Sequence, residues 1–302
     1  MEFEIVAEGL KFPEGPVVME DGSIILVEIA AGAVTRIWGD GRRETVATPG
    51  GGPNGLAIGP DGALYCCNNG GFAYHEVGDL LIPGNCPEDY SGGRIERIDL
   101  ATGAVERLLD TVGGNPLRGP NDIVFDAAGN FYFTDHGKTF SRQRDFGGLY
   151  FVDASGAASE MAFHHTSPNG VGLSPDEKTV YMADTLTGRL WAFDLAAPGQ
   201  LAAKNPLGPD GRVVATLPGL QYLDSLAVTA AGNITVATIL NGGITTFRPD
   251  GTTAHTAFPD PLVTNIAFGG PDMTTAWVCL SGTGKLVKCS WPEPGLDLAF
   301  NA

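Results

Sequence analysis

The stretch PNGVGLSPDEKTVYMADTLTGRLWAFDL, residues 168–195, contains the pattern that decides the fold. A Pro-Asn-Gly signal opens a short apolar run, and the polar turn Pro175-Asp176-Glu177 separates it from a second run rich in β-forming residues. A glycine-containing turn then leads into a third run that ends at Leu195. The stretch therefore predicts three short antiparallel strands joined by tight turns.

The same unit recurs along the chain, and a further strand candidate precedes most copies, at residues 45–47, 105–109 and 213–217. Four short strands in each unit are typical of a propeller blade. The sequence predicts an all-β fold, a six-bladed β-propeller of four-stranded blades that forms a single domain over residues 1–302. The six copies begin at Pro13, Pro53, Pro120, Pro168, Leu223 and Thr264.

Residues 3–7 precede the first copy and have no blade of their own. We expect them to pair as the outer strand of the sixth blade, because this closes the ring and covers exposed strand edges. The C-terminal tail, residues 297–302, is expected to pack beside that strand.

Composition limits the function. The chain has 302 residues with a formal net charge of −17, which opposes binding to a phosphate backbone and predicts no nucleic-acid partner. An odd count of five cysteines does not suit a disulfide framework. No basic-apolar leader and no long apolar span is visible, so we expect a cytoplasmic protein without a membrane partner and with a small-molecule substrate. The oligomeric state stays open.

Aligning the six copies superimposes one polar position at the start of each innermost strand. A single Pro-Asn-Gly is usually an ordinary turn, but a turn does not require a carboxylate or carboxamide at one matching place in all copies. Converging in a channel, such groups are costly to desolvate unless a cation satisfies them, and oxygen ligands suit Ca²⁺ first. Mg²⁺, Mn²⁺ and Zn²⁺ stay open, and Zn²⁺ is not the preferred ion because no His or Cys falls in the ring. The channel ring consists of Glu14, Asn54, Asn121, Asn169, Asp224 and Asn265.

A second set of polar residues follows the channel ring at the end of each second strand, where an antiparallel partner lies beside the start of the first strand. These residues are expected either to hold the ring in place or to brace the blade ends. They are Glu28, Asn68, Asp135, Asp184 and Thr238.

The motifs GLKFPEGPVV, GGPNGLAIGPDGALY, GPNDIVFDAAGNFYFTD, SPNGVGLSPDEKTVYMADT and LDSLAV resemble those of the senescence marker protein-30/gluconolactonase/luciferin-regenerating enzyme family over nearly the whole chain. The resemblance implies metal ligation by Glu14, Asn169 and Asp224. It implies that Asn121 binds substrate, or that it is a fourth metal ligand as in the diisopropylfluorophosphatase branch. The fifth motif, LDSLAV, departs from the P-D-G-[LM] motif that is commoner in this family. Arg118 stands three residues before Asn121, where aldonolactonases of the animal type have arginine two residues before.

The resemblance implies a metal-dependent hydrolase that opens a small, sugar-derived lactone, with Asp224 as general base or nucleophile. Substrate contacts are expected from Asn54, Asn121, His136 and Arg118. The pocket walls are expected from two insertions, residues 70–91 with Phe72, Tyr74, His75 and Tyr90, and residues 136–146. Three alternatives stay open: a phosphotriester hydrolase, a sugar-acid hydratase or isomerase on the same metal, and a non-enzymatic scaffold or calcium buffer.

Overall fold

The computed structural model of the chain describes residues 1–300 and consists almost wholly of β-strands. Six antiparallel four-stranded sheets form six blades, and their innermost strands contact one another in a closed circle around a central channel. The predicted six-bladed propeller is confirmed. One 3-10 turn, Ile29–Ala31, follows the second strand of the first blade.

The blades are numbered 1 to 6 by their innermost strands along the chain. The innermost strands are Pro13–Val18, Pro53–Ile58, Pro120–Phe125, Pro168–Leu173, Tyr222–Val228 and Val263–Gly269. The second strands are Ile24–Glu28, Leu64–Asn68, Phe131–Asp135, Thr179–Asp184, Ile234–Ile239 and Thr275–Leu280. The third strands are Ala33–Ile37, Arg94–Ile98, Gly147–Val152, Arg189–Ala197, Gly243–Phe247 and Lys285–Ser290. The outer strands are Arg43–Ala47, Val105–Leu109, Ala158–His165, Arg212–Thr216 and Thr253–Ala257, with Glu4–Glu8 completing blade 6.

Three short strand pairings lie outside the four-stranded pattern of the blades. A hairpin of Tyr74–Val77 and Leu80–Pro83 rises from the insertion in blade 2, and its Leu81 amide donates to the carbonyl of Gly282 in blade 6 at 2.8 Å. A short pair, Thr111–Val112 with Asn115–Pro116, precedes blade 3, and Gln200–Leu201 pairs with the third strand of blade 4. The hairpin thus connects blade 2 with blade 6.

Apolar side chains fill the spaces between neighbouring blades. The second strand of blade 1 is buried at Ile24, Ile25, Leu26 and Val27 in succession, because each face of a blade is covered by the next blade. All five cysteines are free thiols, as expected, and four of them are buried. Among residues 1–300 no helix is long and apolar enough to span a membrane.

The ring closes as predicted, with the closing strand one residue further along than expected. Glu4–Glu8 pairs antiparallel with Lys285–Ser290, and Ala7 lies opposite Leu286. The pairing covers an edge that would otherwise be open to solvent. Ala7 faces the apolar cluster with Leu286 and Trp277, whereas Ile5 on the same strand is exposed.

The expected place of the C-terminal tail is wrong for its described part. Leu298, Ala299 and Phe300 line the end of the channel opposite the channel ring, and the ring of Phe300 lies edge-on to Phe125 at 5.9 Å. An apolar opening on the channel axis offers this segment more buried contact than an outer strand at the rim. Residues 301–302 lie outside the described residues.

Ring closure predicts a position-dependent response to a charge in the closing strand. Ala7→Asp places a carboxylate in the apolar cluster and is expected to lower the free energy of unfolding by about 3 kcal/mol or more. Ile5→Asp adds the same charge on the exposed face and is expected to cost about 1 kcal/mol or less. Urea unfolding of both variants checks this, and equal losses would contradict the observed register.

Candidate metal and substrate site

Each innermost strand is irregular at or directly beside its channel-ring position. In blades 2 to 5 the ladder between the innermost and second strands skips the ring residue, as between Pro53 and Leu56, whereas Glu14 and Asn265 are paired and the irregularity lies directly beside them. An unpaired residue in a bulge is free to re-aim its side chain. The Asn-Gly and Glu-Gly pairs of the repeats therefore mark backbone irregularities that turn polar side chains into the channel.

Glycine follows the ring residue in three blades because the innermost strands approach closely there. A Cβ on Gly15, whose φ is +54°, would lie 2.3 Å from the carbonyl oxygen of Asn54. The close packing of the innermost strands therefore requires glycine directly after the ring residue at this position.

All six ring residues are buried, from 3% exposed at Glu14 to 8% at Asp224. Five of them form the floor of a cavity of about 330 Å³ at the mouth of the channel, and Asn265 lies behind them in a smaller chamber closed by the tail. The Asn265 amide donates to Glu14 Oε2 at 2.6 Å, and the Gly15 amide donates to the same oxygen at 2.7 Å. Asn265 thus orients Glu14 from behind.

Three acceptor oxygens at the cavity floor have no hydrogen-bond partner among residues 1–300. They are Glu14 Oε1, Asn121 Oδ1 and Asn169 Oδ1. The Asn169 side-chain nitrogen donates to Thr185 Oγ1 at 3.0 Å, so the oxygen of the same amide points away from Thr185. Buried acceptors without donors are unfavourable, and a hard cation is the group that satisfies several of them at once. The donor set therefore fits a divalent cation.

The electrostatics of the floor agree with this fit. Burial, followed by the nearby Glu14 carboxylate, raises the pKa of Asp224 well above its usual range, and burial raises the pKa of Glu14. Two buried carboxylates that disfavour each other's charge are stabilised together by a cation. The described residues contain no group of three or more His, Cys, Asp and Glu arranged for a metal, so a cation here would depend on carboxamide oxygens as well.

Sequence analysis missed Asp122, which replaces the glycine found after the ring residue in blades 1, 2 and 4. Its buried carboxylate accepts from the Ile123 amide at 2.9 Å and from the Val171 amide of blade 4 at 3.3 Å. Burial and the charge of Glu14 raise the pKa of Asp122 to about 7. The departure of PND from the PNG pattern was the available signal for a third carboxylate beneath the ring.

The second set of polar residues braces the loops that lead into the channel ring. Asp135 accepts from the amides of Arg118, Gly119 and Gly137 at 2.7 to 2.8 Å. Asn68 accepts from the Gly52 amide at 2.9 Å, directly before Pro53. Asp184 and Glu28 bind the corresponding loops of blades 4 and 1, while Thr238 contacts only blade 5. Of the two expectations for this set, the contacts fit bracing.

Of the predicted substrate residues, His136 lines the cavity and Arg118 does not. Burial lowers the pKa of His136 well below its usual value, with Arg144 and Lys138 adding to the effect. Its Nδ1 is buried and has no partner among residues 1–300, so a neutral imidazole presents a free nitrogen there. Arg118 instead donates to Asp145 at 2.9 Å and lies beside the ring of Tyr90.

The insertion of residues 70–91 contributes Phe72, Pro83, Gly84 and Asn85 to the cavity wall. The other aromatic residues predicted there have different roles. Tyr74 packs against Phe12 at 5.5 Å, the Tyr90 hydroxyl donates to the Arg118 carbonyl at 2.6 Å, and His75 is exposed.

A buried lysine, also missed by sequence analysis, fixes this insertion. Lys138 donates to Asn69 Oδ1 at 3.1 Å and to the Gly71 carbonyl at 2.6 Å, and its ammonium lies 4.1 Å from the centre of the Phe72 ring. Burial lowers its pKa to about 7. The two insertions therefore hold one another at the cavity wall.

The bracing role of Asp135 is testable. Asp135→Ala would leave three backbone amides at the entrance to blade 3 without an acceptor, and is expected to lower the free energy of unfolding by about 3 kcal/mol or more. Asp145→Ala removes a half-exposed carboxylate paired with Arg118, and is expected to cost about 1 kcal/mol or less. Denaturant unfolding compares the two, and a small loss for Asp135→Ala would remove the bracing role.

Known proteins with related sequences carry names of lactone hydrolases. A gluconolactonase from Zymomonas mobilis is 26% identical over 274 residues, which cover 82% of this chain and 70% of that protein. A lactonase drp35 from Staphylococcus haemolyticus is 28% identical over 255 residues, which cover 82% of this chain and 69% of that protein.

Solved structures share the fold. A gluconolactonase from Xanthomonas campestris superposes with a TM-score of 0.75 at 21% identity, covering 96% of this chain and 89% of that one. Regucalcin from Agrobacterium tumefaciens, described as a calcium-binding protein, superposes with a TM-score of 0.75 at 20% identity, covering 98% of both chains. The family model described as SMP-30/Gluconolactonase/LRE-like region matches residues 12–282, and the chain belongs to this family.

Proposed function

We propose that this protein is a lactonase that hydrolyses a small lactone with a divalent cation held at the channel ring. The carrying observation is the set of buried, unpartnered oxygens of Glu14, Asn121 and Asn169 beside Asp224 on the floor of a substrate-sized cavity. The names of the relatives, gluconolactonase and lactonase, support the reaction class.

Glu14, Asn169 and Asp224 are the proposed ligands, and Asn121 is the fourth candidate. Calcium is the proposed ion, because the set contains only oxygen donors, and a structural relative is described as a calcium-binding protein. When bound, the cation would polarise the substrate carbonyl and favour the charged forms of the two carboxylates.

The side chains around the floor supply the remaining chemistry. Asp224 accepts a proton from the attacking water while the water oxygen bonds to the carbonyl carbon. The proton then passes to the ring oxygen as the acyl–oxygen bond breaks, which yields the hydroxy acid. Asn54 and Asn121 orient the lactone ring, and the free nitrogen of the neutral His136 lies where it can hydrogen-bond the substrate.

Asn121 favours a second candidate, the phosphotriester hydrolase. Its unpartnered oxygen lines the cavity with those of Glu14 and Asn169, which makes a four-ligand set available. Hydrolysis of an organophosphate far faster than of any lactone would favour the phosphotriester hydrolase.

Removing the proposed base tests the reaction. Asp224→Asn is expected to lower kcat for lactone opening by about 10²- to 10⁴-fold, because the amide cannot accept the proton from water. The comparison is made at a Ca²⁺ concentration that saturates the variant, and mass spectrometry under native conditions checks that calcium is bound. Asp110→Asn removes an exposed carboxylate as the control and should leave kcat unchanged. Full activity of Asp224→Asn would contradict the assigned role.

Metal binding has a readout separate from activity. A saturating concentration of Ca²⁺, about 100 times Kd, is expected to stabilise the fold by about 2.7 kcal/mol, and a chelator should reverse the effect. Glu14→Gln should weaken calcium binding at least about tenfold, whereas the exposed Glu106→Gln should not. Calorimetric titration with Ca²⁺ measures the affinity of both variants. Unchanged calcium affinity of Glu14→Gln would exclude Glu14 as a ligand.

A further inference from the structure

The walls of the mouth cavity are chemically divided. Blade 3 contributes the polar residues His136, Thr139 and Arg144 above the channel ring. The loops of the other blades and the insertion of blade 2 contribute Thr185, the exposed Asn85 and an apolar arc, defined by Phe12, Ile29, Phe72, Leu186, Ile239 and Leu262.

Topology explains why the apolar arc lies above the channel ring. Innermost strands begin at the mouth and second strands end there, so residues next to these ends surround the cavity. Leu262 precedes the innermost strand of blade 6, and Ile239 ends the second strand of blade 5. The apolar character continues outward, since Leu186 and Leu240 at the mouth are 44% and 47% exposed.

The polar side of the wall has few free hydrogen-bonding groups. Arg144 already donates to the carbonyls of Thr166 and His136 and to the hydroxyl of Thr139. Thr185 accepts from Asn169. Above the channel ring, His136 Nδ1 is the buried side-chain atom on this wall that lacks a partner among residues 1–300.

A polyhydroxylated lactone suits such a wall poorly. Each hydroxyl taken out of water needs a partner, and the apolar arc offers none. A hydrocarbon substituent placed against the same arc is stabilised by leaving water. An anionic substituent is disfavoured as well, because the chain carries a net charge of −17.

We infer that the substrate is a neutral lactone bearing an alkyl or aryl group, with the carbonyl directed to the channel ring and the hydrocarbon group packed on the apolar arc. This inference rests on the proposed function and narrows its substrate class away from the sugar-derived lactone. Leu186, half-exposed at the mouth, and Ile239 are the specificity-determining residues.

Binding of two non-hydrolysable probes tests the inference. The lactam analogue of dihydrocoumarin carries an aromatic ring, and gluconolactam carries hydroxyls. Titration calorimetry of the full chain with Ca²⁺ is expected to give at least about tenfold tighter binding for the aromatic lactam, since burial of several apolar carbons supplies that ratio. Tighter binding of gluconolactam, or binding of neither probe, would overturn the inference.

Matched variants locate the effect. Leu186→Asn and Ile239→Thr should each weaken the aromatic lactam about three- to tenfold and leave gluconolactam unchanged. Leu207→Asn, at a leucine that is 96% exposed and outside the cavity lining, is the control and should change neither affinity. Thermal unfolding checks that each variant folds. Equal weakening of both probes would overturn the role of the apolar arc.

Hydrolysis of dihydrocoumarin by the same sample separates the two proposals. Turnover together with tight lactam binding supports both. Tight and selective lactam binding without turnover of any lactone would contradict the proposed function while supporting the apolar substrate class.

Discussion

The desolvation of six polar side chains in the propeller channel is the constraint on which the site depends. Ring closure brings the innermost strands into mutual contact, and each strand is irregular at or beside the ring position, where an amide or carboxylate faces the channel. Some of these groups satisfy each other, as Asn265 does with Glu14. Some of the remaining oxygens have no donor among residues 1–300, and a cation would satisfy them, which is the physical basis of the proposed metal site.

Much of this arrangement could be predicted from sequence because it repeats. The six-fold recurrence revealed the blades, the closing strand and the register of the channel ring, which a single Pro-Asn-Gly could not. The features that sequence analysis missed are those that occur once. Asp122 breaks the repeat at one blade, and Lys138 lies in an insertion with no counterpart elsewhere. Periodicity carries no information about such residues, since their partners are set by packing.

The tail and Arg118 show the same limit. The tail reaches an apolar opening on the channel axis, a destination that depends on the assembled inner strands rather than on any local pattern. Arg118 stands beside the ring in sequence, yet its side chain pairs with Asp145, outside the cavity. The position of Arg118 in the sequence predicts that its backbone lies near the channel ring, but it does not predict the direction of its side chain. The apolar arc is likewise assembled from loops of five blades, so no single stretch of sequence contains it.

Anomalous diffraction from crystals grown with Mn²⁺ tests the central claim most directly, because manganese accepts the same oxygen ligands and is located by its own scattering. The account predicts one strong anomalous peak on the channel axis, about 2.0 to 2.6 Å from Glu14 Oε1, Asn169 Oδ1 and an oxygen of Asp224. A channel without a peak, or a peak only at carboxylates elsewhere on the surface, would contradict it.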